Sequence, residues 1–434
     1  MLLFLWYTVL MSKKKKRRKK QKRTGISQRF LKPFVITFCM VTTVGILGLA
    51  AYQWIIEPTK VASNRHFQLT KEVVERGAAA EEIQIEEIIA VNDKYDDILN
   101  DPDYMVENNI YAKEAANPDE VTITFAGDIL FDDQYAVMAR VVQNGGDITY
   151  GIEPDLINEM QSADIMMLNN EFPYSDRGEP LADKQFTFRA STSSVSYLNE
   201  LGVDIVSLAN NHAYDYGETA FLDTMTTLED AGIIYVGAGH NLEEARKPVC
   251  YIINNIKIAI VSATQIERLD HPDTKGATDT SAGVFRCWNG DNLLETIREA
   301  KENNDFVIAY LHWGTENEEK IDWAQEKQAA EVADAGADLI IGDHTHCLQQ
   351  INIVKGVPVV YSLGNFWFNS KTLDTGMIKV TLDENGLKSC QFIPCLQSGS
   401  KTVLLQGEEK KRVLNYMQSI SAGVKIDGEG YVTW

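Results

Sequence analysis

The feature that most constrains the fold is an alternation of short apolar runs with helical segments from residue 121 onward. Alternation of this kind is typical of βα units whose parallel strands form a central sheet. We therefore predict an α/β fold with a largely parallel sheet. The strand-like runs are 121–126, 164–168, 204–209, 233–236, 306–311 and 337–341, and the helical segments are 193–202, 217–231, 291–303 and 324–335.

Two further segments predict antiparallel strands. Residues 251–261 are typical of a hairpin that turns at 254–255, and residues 351–363 of one that turns at 355–356. Asn and Gly at such turns favour the left-handed backbone that tight hairpins require. Antiparallel strands added to a parallel core indicate a second sheet packed on the first.

Polar side chains of three chemical types follow the apolar runs: carboxylate, amide and imidazole. They are Asp128, Glu171, Asn211, His312 and His344. In open α/β sheets, functional residues collect beyond the carboxyl ends of the strands. Ligands of these types suit a site for one or two divalent ions, which would activate water and bind the oxygens of a reacting group. The ligand set fits Mn, Fe or Zn, and Ca remains open.

The pair His344 and His346, two residues apart after an apolar run, gives the strongest metal signal, because imidazole is the commonest protein ligand for these ions. Each candidate ligand also has a structural interpretation. Asp128 after a glycine could cap a turn. Glu171 could form a surface salt bridge, and His312 could be a hydrogen-bonded core histidine.

Three other side chains are candidates for substrate contact. Arg189 can bind a carboxylate or phosphate with two parallel hydrogen bonds, and a structural ion pair is the alternative. Glu316 is a candidate base or ligand. His240 is a candidate for the wall of the cleft.

Charge divides the chain into two unequal parts. Residues 1–57 carry twelve Lys and Arg and one acid, so the rest carries 29 basic and 61 acidic residues, a net charge of −32. Such an acidic domain repels nucleic acid and other polyanions at long range, and we do not expect a nucleic-acid partner. An anionic substrate would need local cations.

Residues 34–56 contain no Asp, Glu, Lys or Arg and are long enough to cross a bilayer as a helix. The basic run 13–23 precedes them, which places the N-terminus in the cytoplasm and the later residues outside. A cleaved signal peptide is the alternative. We predict a single-pass protein of the cell membrane with a cytoplasmic basic tail (1–33), a transmembrane helix (34–56), an acidic extracellular spacer (57–120), a folded domain (121–400) and its C-terminal extension (401–434).

The order of motifs across about 121–370 resembles the calcineurin-like metallophosphoesterase superfamily and, within it, the capsule-synthesis CapA family. That family includes the membrane-anchored accessory subunit of bacterial poly-γ-glutamate synthases. The motifs as a set are specific, and any single one is not. They are Phe125–Asp128, Asn169–Glu171, Phe186–Arg189, Ser207–His212, Val236–Asn241, His312–Glu316, Gly342–His346 and Tyr361–Phe366.

The resemblance implies a four-layer α/β/β/α sandwich and a role for each matching residue. Glu171 would stand where the superfamily has a bridging aspartate, and His212 would donate a proton to a leaving group. The implied metal ligands are Asp128, Glu171, Asn211, His312, His344 and His346. Two positions depart from the superfamily pattern: Leu130 replaces a usual histidine, and Glu171 replaces the aspartate. One metal position therefore loses a nitrogen ligand.

Three functions remain open from the sequence. The first is an accessory protein for synthesis, export or processing of an anionic capsule polymer such as poly-γ-glutamate, with membrane subunits of a polymer synthase as partners. The second is an active metal-dependent hydrolase that cleaves a phosphoester or an amide. The third is a non-catalytic scaffold with a vestigial metal site, which the loss of histidine at Leu130 favours.

Overall fold

The computed structural model describes residues 94–182, 184–266 and 274–434. The predicted basic tail, transmembrane helix and first part of the spacer lie outside these residues. Among the helices of the described ranges, none combines the length and the apolar character needed to cross a bilayer.

The described residues contain nineteen strands. In chain order they are β1 (Ile110–Ala112), β2 (Val121–Ile129), β3 (Ile165–Asn170), β4 (Ile205–Ser207), β5 (Ile234–Val236), β6 (Ala238–Gly239), β7 (Val249–Ile253), β8 (Ile256–Thr264), β9 (Gly283–Val284), β10 (Phe306–His312), β11 (Leu339–Asp343), β12 (Ile351–Val354), β13 (Val357–Val360), β14 (Asn365–Trp367), β15 (Leu373–Asp383), β16 (Gly386–Ser398), β17 (Lys401–Leu404), β18 (Lys425–Ile426) and β19 (Tyr431–Thr433).

The described residues also contain ten α-helices. They are α1 (Asp96–Leu99), α2 (Pro102–Glu107), α3 (Ala136–Gln143), α4 (Pro154–Gln161), α5 (Ser196–Glu200), α6 (Gly217–Asp230), α7 (Leu242–Arg246), α8 (Asp291–Asn303), α9 (Trp323–Ala335) and α10 (Gly407–Ile420), with short 3-10 turns at Ile148–Tyr150 and Thr192–Val195.

The strands form two large sheets with parallel centres. The first has seven strands in the order β1-β7-β8-β10-β11-β13-β12, and β8, β10, β11 and β13 are parallel neighbours. The second has ten strands and includes the run β16-β15-β2-β3-β4-β5, in which β2 to β5 are parallel. The two predicted hairpins are confirmed as β7–β8 and β12–β13.

The two sheets pack face to face, and helices cover their outer faces. Along β8, Ile258 and Ile260 belong to the apolar cluster between the sheets, while Ala259 and Val261 belong to the cluster beneath α8 and α9. A third cluster joins the outer face of the second sheet to α3, α4 and α6. Strands buried on both faces have continuous apolar runs, which is the pattern that the sequence shows. The predicted mixed α/β fold is confirmed.

The long helices begin and end where local sequence signals place them. The Asp322 carboxylate accepts hydrogen bonds from the backbone of Ala324 and Gln325 at the start of α9, and Gly336, with φ 114°, ends it. Predicted helices at 217–231, 291–303 and 324–335 correspond to α6, α8 and α9. The segment predicted at 193–202 is a 3-10 turn followed by the short helix α5.

Both flanks of the predicted domain pack against it. Strand β1 pairs with β7, and Tyr95, Ile98 and Met105 lie against the cluster beneath α8 and α9. The described part of the predicted spacer is thus attached to the domain. In the predicted C-terminal extension, β17 and β19 pair with β16, and α10 buries Val413 and Leu414.

Candidate metal centre

The carboxyl ends of parallel strands from both sheets meet at one place. Asp128 lies near the end of β2 and Glu171 directly after β3, while His312 ends β10. The hydroxyl of Tyr310, two residues before His312, donates to the carbonyl of Ala126 across the sheet interface at 3.1 Å. The structure brings together all six predicted ligands: Asp128, Glu171, Asn211, His312, His344 and His346.

The centre of this cluster is the fully buried imidazole of His312. Its Nε2 lies 2.8 Å from Oδ1 of Asn211, 3.0 Å from Nδ1 of His344 and 3.5 Å from Oε1 of Glu171. Ligands bound about 2.1 Å from one ion lie about 3 to 3.5 Å from each other. The three distances from Nε2 of His312 therefore match the spacing of ligands in one coordination shell.

The opposite nitrogen of His312 faces a carboxylate. Nδ1 of His312 lies 2.8 Å from Oδ1 of Asp343, directly across the parallel β10–β11 pair. Burial raises the pKa of Asp343 to about 6, against the opposing effect of His312, so its carboxylate is mostly ionised at neutral pH. A proton on Nδ1, donated to Asp343, would leave a lone pair on Nε2, which is the tautomer that binds a metal ion.

A second group of ligands adjoins the first and shares Glu171. It consists of Asp128, Glu171 and His346, whose ligand atoms lie within 4.8 Å of one another. Nδ1 of His346 is 3.2 Å from Oδ2 of Asp128. Burial alone would lower the pKa of His346, but this hydrogen bond raises it, and it also lowers the pKa of Asp128 against burial. A cation bound by both His346 and Asp128 would take the place of the proton between them.

Unpaired buried atoms support a cation at this position. Oε1 of Glu171 and Oδ2 of Asp343 are buried without a hydrogen-bond partner. Burial, with the charges of Asp128 and Asp343, raises the pKa of Glu171 well above its usual value. Burial likewise lowers the pKa of His344 well below its usual value, which favours the neutral imidazole. Buried carboxylate, amide and imidazole groups that converge in this way fit a divalent cation.

The backbone holds these side chains in an uncommon conformation. His344 has φ 86° and His346 has φ 58°, both in the left-handed region that side chains with a Cβ rarely adopt. A Cβ on Gly342 would lie 2.2 Å from both Nε1 of Trp313 and the carbonyl of Tyr361. Glycine before Asp343 therefore allows β11 to pack closely while the two histidines point into the cluster.

Leu130 points away from the cluster. Its side chain is fully buried among the apolar residues between the second sheet and its helices. The ligand group of Asp128, Glu171 and His346 therefore has three side chains, whereas the group around His312 has four. The predicted loss of one nitrogen ligand agrees with this placement.

The His212 imidazole is oriented by a carboxylate. Its Nδ1 lies 2.7 Å from Oδ2 of Asp215, whose other oxygen accepts a hydrogen bond from Lys184 at 2.6 Å. Lys184 also donates to the backbone carbonyl of Asn211. Burial lowers the pKa of His212, in opposition to Asp215. Nε2 of His212 is therefore the nitrogen left to exchange a proton beside the Asn211 ligand.

The three predicted substrate contacts lie in different surroundings. The guanidinium of Arg189 is over the ring of Tyr216. Glu316 is exposed, and its charge contributes to the raised pKa of His346. His240 is exposed and bonded through Nδ1 to Glu244 at 2.8 Å, so its described contacts are at the start of α7 and not in the cluster.

Four residues of the site were not assigned from the sequence. Asn169 donates to Asp128 at 2.9 Å, Asp343 orients His312, and Asp215 with Lys184 supports His212. Asp343 lies inside the Gly342–His346 motif, and Asp215 follows His212 by three residues. Those spacings are the signals that could have identified them. Lys184 has no such signal in its neighbourhood.

Comparison with known proteins agrees with the motifs. Residues 122–370 match the family described as bacterial capsule synthesis protein PGA_cap. The capsule biosynthesis protein CapA of Bacillus anthracis is 31% identical over 307 residues, which cover 68% of this chain and 72% of that protein. The PGA biosynthesis protein CapA of Bacillus subtilis is 29% identical over 283 residues, covering 64% and 71%. This chain belongs to the bacterial capsule synthesis protein family.

Among solved structures, a hypothetical protein from Thermus thermophilus is similar over 64% of this chain and 100% of its own, with a TM-score of 0.37 and 14% identity. Similarity at this level carries no information about the site.

Replacing Asp343 with Asn should weaken metal binding. An Asn side chain can donate to Nδ1 of His312, which would move the imidazole proton to Nε2 and remove the lone pair from the cluster. Loss of a carboxylate that orients a metal-binding histidine typically lowers metal affinity about 10- to 100-fold. Chelator competition with Mn²⁺ or Zn²⁺ on the purified protein would measure it.

Asp164→Asn is the matched control, because Asp164 is also buried but accepts its hydrogen bonds from Ala116 and Thr122. Equal metal affinity in the Asp343→Asn variant and the wild type would show that the Asp343–His312 pair does not support a metal site.

Proposed function

We propose that this protein is a membrane-anchored exterior protein for the synthesis, export or processing of an anionic capsule polymer such as poly-γ-glutamate, and that it acts through a metal centre. Its family and the capsule and PGA biosynthesis proteins among its relatives support the polymer. The observation that carries the metal centre is the convergence of Asn211, His344 and Glu171 on Nε2 of His312. We also propose that the paired sheets form the four-layer sandwich of the metallophosphoesterase type.

The residues present fit one well-held divalent ion and a second with fewer ligands. Glu171, Asn211, His312 and His344 would hold the first, and Asp128, Glu171 and His346 the second. Mn, Fe and Zn suit these ligands. When bound, the ions supply positive charge and polarise an oxygen of the substrate. In a domain with a net charge of −32, that charge would attract a polyanion locally.

Metal-dependent polymer binding is the first expected result. The full chain loaded with Mn²⁺ should bind a decamer of γ-linked glutamate, and chelation should weaken that binding because the cluster loses its positive charge. Isothermal titration calorimetry would measure the affinity. The His344→Ala/His346→Ala double variant is the matched comparison. Binding that survives both chelation and the double substitution would contradict a role of the metal centre in polymer binding.

A second candidate function is hydrolysis of an amide or phosphoester. The His212–Asp215 pair favours it, since an oriented imidazole beside the Asn211 ligand is placed to give a proton to a leaving group. Nδ1 stays with Asp215, and Nε2 would transfer the proton. Phe188 packs on the His212 ring, with 4.3 Å between centroids, and limits its motion.

The His212→Ala substitution should lower any hydrolytic turnover about 100-fold or more, the usual contribution of a positioned acid, while metal content stays unchanged. His240→Ala is the control, since His240 is paired with Glu244 away from the cluster. Release of free amine from the decamer, or of phosphate from a phosphoester, would measure turnover. Unchanged turnover in metal-loaded His212→Ala protein would rule out this proton donor.

We propose that residues 34–56 anchor the protein, with the basic run 13–23 in the cytoplasm. The support is the uncharged apolar stretch directly after a block of Lys and Arg. Protease added to intact cells should therefore digest the folded domain and leave the N-terminal tail protected. Release of the full chain from membranes by alkaline carbonate would contradict a spanning anchor.

A further inference from the structure

The side chain of Arg189 is fixed on an aromatic ring. Its guanidinium carbon lies 4.2 Å from the centroid of the Tyr216 ring, within the range of a cation–π contact. The backbone N–H of the same residue donates to Oδ2 of Asp132 at 2.7 Å. Both the main chain and the side chain of Arg189 are therefore held, and the residue is only partly buried.

This guanidinium differs from others in the described structure. Arg177, Arg246 and Arg412 each form ion pairs with carboxylates. Among the described residues, no carboxylate lies within ion-pair distance of the Arg189 guanidinium. The alternative from the sequence, a structural ion pair, is therefore not what the described residues form.

Arg189 and Tyr216 are the chain neighbours of two residues that contact His212. Phe188 donates its backbone N–H to Oδ2 of Asp215 at 2.7 Å, and its ring packs on His212. Arg189 follows Phe188 in the chain, and Tyr216 follows Asp215. The cation–π pair is thus one residue along both segments from the contacts that hold His212.

The Arg189 guanidinium has no carboxylate at ion-pair distance among the described residues, in a part of the chain with a net charge of −32. The long-range field of the protein opposes the approach of a polyanion, so recognition requires local positive groups. Guanidinium presents a planar fork of donors that matches a carboxylate with two parallel hydrogen bonds. Because Tyr216 already holds that plane, little side-chain freedom is lost when the carboxylate binds.

We propose that Arg189, supported by Tyr216, binds a free carboxylate of an acidic polyamide and so positions the polymer beside His212 and the metal cluster. This inference rests on the proposed function, and it adds the group of the substrate that is recognised and the residue pair that recognises it. Arg189 acts as a specificity-determining residue, since a neutral polymer of the same backbone would lack its partner.

The test compares two probes on the full, metal-loaded chain. One is the decamer of γ-linked glutamate, and the other is the same decamer with its free carboxylates converted to amides. The acidic decamer should bind the wild type more tightly than the amidated one. Arg189→Gln should weaken binding of the acidic decamer about tenfold or more, the usual effect of losing a hydrogen bond to a charged group, with little change for the amidated one.

Arg298→Gln is the matched control, because Arg298 is an exposed arginine of α8 and its loss changes the net charge by the same amount. It should bind like the wild type. Tyr216→Phe keeps the ring beneath the guanidinium and should also bind like the wild type, whereas Tyr216→Leu should weaken binding. Metal content measured on each variant shows whether the cluster is intact.

The outcomes separate this inference from the proposed function. Metal-dependent binding of the acidic decamer that is equal in wild type and Arg189→Gln would overturn the inference and leave the proposed function standing. Equal affinity for the two decamers, or displacement of the acidic decamer by inorganic phosphate at similar concentration, would overturn carboxylate recognition. Failure of the metal-loaded wild type to bind either decamer would count against both.

Discussion

The hydrogen bond between Asp343 and His312 is the interaction on which the proposed site depends. By accepting a proton from Nδ1 of this fully buried imidazole, the Asp343 carboxylate would leave a lone pair on Nε2. Nε2 lies 2.8 Å from Oδ1 of Asn211, and with the proton on Nδ1 a bound cation would bridge these two atoms. The Asp343 carboxylate at the end of β11 would thus support cation binding by His312 at the end of β10.

The burial of three carboxylic acids also favours a bound cation, for an energetic reason. Asp128, Glu171 and Asp343 are all fully buried, and removing carboxylates from water without compensation costs several kcal/mol each. Two imidazoles offset part of this desolvation cost, because His346 lies beside Asp128 and His312 beside Asp343. Glu171, shared by both ligand groups, keeps one oxygen without a hydrogen-bond partner. A bound divalent ion would compensate the charge that the side chains leave.

Much of the fold and most of the cluster could be predicted from the sequence, because both depend on local signals. Continuous apolar runs identified the parallel strands, and polar residues at their ends identified the six candidate ligands. Asp215 and Asp343 were missed because their role is visible only when an imidazole is seen to face them. The surroundings of His240 could not be predicted from its motif either, because its side chain bonds to Glu244 at the start of α7. Packing of residues 94–120 on the domain depends on pairing of β1 with β7, which local periodicity does not report.

Metal stoichiometry tests the central claim most directly. The full chain would be purified without chelators, and Mn, Fe, Zn, Ca and Mg would be quantified by elemental mass spectrometry beside the His344→Ala/His346→Ala variant. We predict at least one transition-metal ion per chain in the wild type and its loss in the variant. Protein that contains no metal after reconstitution with each ion, or a variant that retains the wild-type amount, would contradict a metal centre at His312.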